Sequence, residues 1–113
     1  MTITFNEYRA FDAMGLAQAL RRRDVSRKEV LDAALSRLQA VNPQVNAVTY
    51  LHQPALDQTP GESQGAFAGV PYLIKDLHAP VAGMPLTHGS CCSRATRTTS
   101  TAKPWPACGA RVL

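Results

Sequence analysis

Apolar residues recur at three- and four-residue spacing in two places along the first half of the chain, and each place predicts a helix. The first covers residues 12–23. Asp12 stands as an N-cap, and Met14, Leu16, Ala17 and Leu20 form an apolar stripe. Arg21, Arg22 and Arg23 fall in the last turn, where positive charge meets the negative end of the helix dipole. The second begins at Ser26-Arg27-Lys28-Glu29, a capping box in which the serine hydroxyl takes the N3 amide and the glutamate reaches back to the cap. Behind it Val30, Leu31, Ala34, Leu35, Leu38 and Val41 line one face for about four turns, and Asn42-Pro43 is expected to end the helix.

The pattern then changes. Val45–Leu51 has β-type composition and reads as a strand. Residues 53–65 are rich in Gln, Pro, Gly and Ser and read as a surface connection with one helical turn at most. Gly69–Lys75 is a short apolar strand that ends on a charge, and 77–90 is a loop broken by Pro80, Gly83, Pro85 and Gly89. No internal repeat is present. The order α-α-β-(α)-β marks the beginning of an α/β fold rather than a finished one. A strand as apolar as Val70–Ile74 expects cover on both faces. Two strands alone are marginal in water, and two helices do not cover such a sheet twice. The expected core is therefore incomplete.

Composition adds a division that the periodicity does not reveal. The 113 residues suffice for one small domain, and 45% are hydrophobic, as in ordinary globular chains. Residues 1–90 hold eight Lys/Arg and all eight Asp/Glu, so they net to zero; the formal +4 sits on Arg94, Arg97, Lys103 and Arg111. The same tail carries Cys91, Cys92, Cys108 and Trp105. Four scattered charges and one aromatic do not make a nucleic-acid surface. Three cysteines, two of them adjacent, give neither a disulfide framework nor a metal-ligand spacing. His52, His78 and His88 are likewise not gathered as ligands and read as loop or surface residues. The opening residues MTITFNEYRAFDAMG lack a signal pattern, and no apolar run is long enough to span a bilayer. A cytoplasmic protein with no membrane partner is the expectation.

Phe67-Ala68-Gly69-Val70-Pro71-Tyr72-Leu73-Ile74-Lys75-Asp76-Leu77 is followed by Ala82-Gly83-Met84-Pro85-Leu86-Thr87 and Gly89-Ser90. Upstream stand Arg22-Arg23-Asp24-Val25-Ser26 and Asn42-Pro43-Gln44-Val45-Asn46-Ala47-Val48. This ordered set, over about residues 11–90, resembles the amidase signature family, whose members carry G-V-P-[FY]-x-[IL]-K-D and then A-G-x-P-T-T-x-G-S. A single G-V-P-x-x-x-K would be weak; the ordered set is specific. The resemblance implies an α/β fold of which this is the N-terminal portion, two helices and then the first strands of a mixed sheet. It also implies hydrolysis or transfer of amide C–N bonds by a Ser–cis-Ser–Lys triad, on a small-molecule amide, without metal or cofactor and without direct contact to nucleic acid.

By that resemblance Lys75 is the catalytic base. A serine hydroxyl is a poor nucleophile until a neighbour removes its proton, and a lysine does so only when neutral, which burial or a nearby cation favours. The end of an apolar strand is a credible place for that. Taken without the family, Lys75 beside Asp76 is a solvated ion pair worth at most ~1 kcal/mol. Asp76 reads as a structural partner, since the family triad uses no carboxylate.

The 113 residues contain no Gly/Ser-rich run, and Ser90, Ser93 and Ser100 lack the glycine context that aims backbone amides at an oxyanion. The resemblance stops at Ser90. When Cys91–Val112 is assigned GC-rich codons and read from the third base, it yields L-Q-P-G-Y-A-H-D-F-D-G-E-A-V-A-R-L-R-G-A-G. That string contains the V-A-R-L-R-x-A-G helix with which family members continue. The expectation is an amidase-domain part over 1–90 and an out-of-frame or disordered tail over 91–113, inactive alone. The alternative is a non-catalytic module whose helical pair, 12–41, binds a partner.

Overall fold

The computed structural model describes residues 3–53, 65–77, 79–90, 92, 99 and 111–112. The elements run α1 (Phe5–Ala10), α2 (Ala13–Arg22), α3 (Arg27–Val45), β1 (Pro71–Tyr72) and β2 (Arg111–Val112). The two short strands pair in parallel, Pro71 opposite Arg111 and Tyr72 opposite Val112. The connection expected over 53–65 falls almost wholly outside the described residues, as do His78, Cys91, Cys108 and Trp105.

Local chemistry sets the helix starts. Asp12 Oδ1 accepts the Gly15 amide at 2.6 Å and caps α2. Ser26 caps α3 as the sequence predicts. Its hydroxyl takes the Glu29 amide at 3.2 Å, and Glu29 Oε2 takes the Ser26 amide at 2.9 Å. Helix α1 is an addition to the sequence-based expectation, although Thr4 and Glu7 form the same reciprocal pair, with Thr4 N donating to Glu7 Oε2 at 2.7 Å. Helix α2 ends where Arg23 adopts φ 62 and the Asp24 amide returns to the Ala19 carbonyl at 3.0 Å. Arg21 and Arg22 lie in its last turn, and Arg21 Nη2 reaches the Ala66 carbonyl at 2.8 Å.

The cap of α3 yields a prediction. Hydrogen bonds from the Ser26 side chain and backbone hold the Glu29 carboxyl down to about 2 from its ordinary 4.5. A depressed pKa stabilises the folded chain above pH 4.5, and that contribution is lost as pH falls through 2. Ser26→Ala is expected to cost about 1 kcal/mol at pH 7, measured by urea denaturation. The gap from the parent should narrow between pH 4.5 and 2.

Three expectations are corrected. Helix α3 passes through Asn42-Pro43 and ends at Val45, where Asn46 takes φ 46 and its amide bonds the Asn42 carbonyl at 2.7 Å. Pro43 lies near the C-terminal end, so its missing N–H costs one bond rather than the helix. Residues 46–51, expected as part of a strand, form no ladder among the described residues. Asn42 substitutes for a neighbouring strand there: its amide nitrogen donates to the Val48 carbonyl and its oxygen accepts the Val48 amide, both at 2.9 Å. The strand expected over 69–75 pairs only at Pro71–Tyr72.

The core is thin. Leu16, Ala17, Val30 and Val70 are buried together, with Tyr8, Leu20, Val25 and Phe67 half-buried around them. Gly69 lets this junction close: its φ is +84, and a Cβ there would lie 3.0 Å from Arg27 side-chain atoms. The Arg37 guanidinium sits 4.6 Å from the Phe5 ring centroid and ties α1 to α3. Beyond Val70 the cover fails: Tyr72 is 43% exposed and Leu73 53%. Among the described residues the chain is helical with little sheet, a partial α/β fold.

Candidate active site

A cleft of about 850 Å³ opens beyond β1. One wall is the extended segment Ala47–Tyr50, held by Asn42; another is Leu73–Asp76, running on from β1; the third is the loop from Met84 to Ser90. Lys75 lines this cleft, so the residue singled out from sequence stands on the wall of a cavity of about 850 Å³.

Lys75 is exposed, contrary to the dry strand end expected for it. The reason is geometric: β1 is only two residues long, and Leu73, two residues before the lysine, has nothing packed over half its surface. Asp76 does not pair with it. Its Oδ1 accepts the Thr87 amide at 2.6 Å and its Oδ2 accepts the Thr87 hydroxyl. The Thr87 hydroxyl, followed by desolvation acting the other way and by the Thr87 and His88 amides, leaves the Asp76 carboxyl below its ordinary range. Asp76 thus holds the loop through Thr87 rather than pairing with Lys75. Thr87 was assigned no role; the signal available was an Asp and a Thr eleven residues apart across a loop bounded by Gly83 and Gly89.

The loop beyond Thr87 is folded tightly. His88 and Gly89 take φ 51 and 74, the Gly89 amide donates to Thr87 Oγ1 at 3.2 Å, and the Ser90 amide donates to the Thr87 carbonyl at 2.8 Å. His52 stands apart, its ring 6.1 Å from that of Tyr50 and its Nδ1 buried without a hydrogen-bond partner among the described residues. Among the described residues no three His, Cys, Asp or Glu side chains form a metal-ligating group, and no helix is long and apolar enough to cross a membrane.

No protein-family model matches the chain. Individual relatives do. The 6-aminohexanoate-cyclic-dimer hydrolase of Pseudomonas sp. (strain NK87) is 45% identical over 69 residues, covering 58% of this chain and 13% of that protein. Putative amidase AmiC of Mycobacterium tuberculosis (strain ATCC 25618 / H37Rv) is 45% identical over 82 residues, 70% of this chain and 17% of AmiC. The acylamidase of Rhodococcus erythropolis is 34% identical over 86 residues, 68% of this chain and 18% of the acylamidase. The solved structure of 6-aminohexanoate cyclic dimer hydrolase complexed with substrate superposes with a TM-score of 0.80 at 34% identity, over 91% of this chain and 22% of that one. The chain thus spans less than a quarter of the length of these relatives, and within that span likeness in sequence and in fold agree: it belongs to the amidase signature family.

Proposed function

We propose that this chain carries the lysine base of an amide C–N hydrolase of the Ser–cis-Ser–Lys type and that the two serines reside in a segment outside its 113 residues. The observation that carries the reading is the position of Lys75, three residues beyond the end of β1 and on the wall of the 850 Å³ cleft. Relatives named as amidases and as a cyclic-dimer hydrolase supply the reaction class. In this chemistry a serine oxygen attacks the amide carbonyl, its proton passes through the second serine to the neutral lysine amine, and the proton is returned to the leaving amine. A neutral lysine requires a dry site or a neighbouring cation. Lys75 is exposed in this chain, so its action as a base calls for a cover over the cleft, supplied by the remainder of the family fold. Residues 91–113 belong to this reading as an out-of-frame tail that replaces the family's continuation after Ser90.

The purified 113-residue chain is expected to hydrolyse no carboxamide above background, since a base without nucleophile or oxyanion hole leaves the barrier in place. A chimera in which residues 1–90 replace the homologous stretch of 6-aminohexanoate cyclic dimer hydrolase is expected to regain turnover. Turnover by the isolated chain would overturn the placement of the serines elsewhere. A folded, inactive chimera would count against the whole reading.

A further inference from the structure

We propose that Asp76 and Thr87 form a clamp that fixes the 84–90 loop against the lysine-bearing segment and so sets the shape of the cleft in which Lys75 works. The inference rests on the reading of Lys75 as the base; both are positioning residues, acting through the lysine's surroundings.

The geometry is specific. A carboxylate one residue from Lys75 takes both hydrogen-bond donors of a single threonine, the amide through Oδ1 at 2.6 Å and the hydroxyl through Oδ2. Such two-point, charge-assisted contact fixes orientation as well as distance. Thr87 then passes the constraint on. Its Oγ1 accepts the Gly89 amide at 3.2 Å and its carbonyl accepts the Ser90 amide at 2.8 Å. One threonine therefore organises the turn, with His88 and Gly89 at positive φ, directly on the cleft wall. The lowered carboxyl pKa of Asp76, whose first cause is the Thr87 hydroxyl, agrees with this. Because Asp76 follows Lys75 directly, any movement of the loop relative to this carboxylate is felt at the lysine's own backbone.

The test uses the 113-residue chain and NMR, with Thr87→Val (same shape, no hydroxyl) and Thr87→Ser (hydroxyl kept). In the parent, the Thr87 amide proton should follow the Asp76 carboxyl titration with a midpoint below the ordinary aspartate range. In Thr87→Val the midpoint should rise toward that range. The 84–90 amides should exchange about tenfold faster, as expected when a hydrogen bond to a charged group is lost. The Lys75 amide resonance should move with them. Thr87→Ser should restore all three, and amides of α2 and α3 should stay protected throughout, which separates a local change from unfolding. Parent-like behaviour of Thr87→Val, or failure of Thr87→Ser to restore the loop while α3 remains protected, would overturn the clamp. Neither result bears on whether Lys75 is the base, which the chimera decides by turnover.

Discussion

Lys75→Ala in the active chimera is expected to lower kcat by about a hundred- to ten-thousandfold, the range contributed by a positioned general acid–base group. KM should change little, because the proposed role of the lysine is to act on the nucleophile's proton and not on the substrate's ground-state contacts. A folding effect is separated by measurement. In the isolated chain Lys75 is exposed and no ion pair holds it among the described residues, so truncation there should shift that chain's stability by no more than about 0.5 kcal/mol. The chimera variant's own thermal unfolding serves as the folding control. Lys75→Arg sharpens the result. Arginine keeps the charge and most of the length yet stays protonated, so it holds the geometry without serving as a base. If the arginine variant supports activity comparable to the parent, the lysine's role is electrostatic and the proton-relay reading falls. Retention of full activity in Lys75→Ala would remove the residue from the chemistry altogether.

What the sequence made legible, and what it hid, follows one line. Features set by residues three or four apart were readable: the caps at Asp12 and Ser26, the apolar stripe of α2, the arginines at its end. Thr4 and Glu7 carried the same signal but escape a periodicity reading, because α1 is only six residues long and has no apolar stripe. Features that need a partner far along the chain were misjudged. Val45–Leu51 has strand composition, but composition does not supply a neighbouring strand, and Asn42 supplies the two missing bonds instead. The site divides in the same way. Lys75 was reachable from a contiguous motif, whereas the Asp76–Thr87 contact spans eleven residues and depends on how a loop folds back. The exposure of Lys75 was unreadable because it depends on how little is packed over Leu73 among the described residues, which no local pattern encodes.

That missing cover can be tested through stability. Leu16 is 4% exposed and packs with Ala17, Val30 and Val70, so Leu16→Ala is expected to cost about 2–5 kcal/mol. For a small domain this is a large share of the total. Few side chains besides Leu16 are buried among the described residues, so the substitution should abolish a cooperative thermal transition in the 113-residue chain, followed by circular dichroism. Leu73 is the counterpart, the same side chain at 53% exposure. In the isolated chain Leu73→Ala should change stability by less than about 0.5 kcal/mol, as at an uncovered surface. In the chimera, if the rest of the fold covers β1 as proposed, the same change should approach the cost of Leu16→Ala, because the side chain is then buried on the face that an apolar strand expects to have covered. Equal, small effects in both proteins would mean that this face stays open in the intact fold, and the dry cleft required for a neutral Lys75 would need another source.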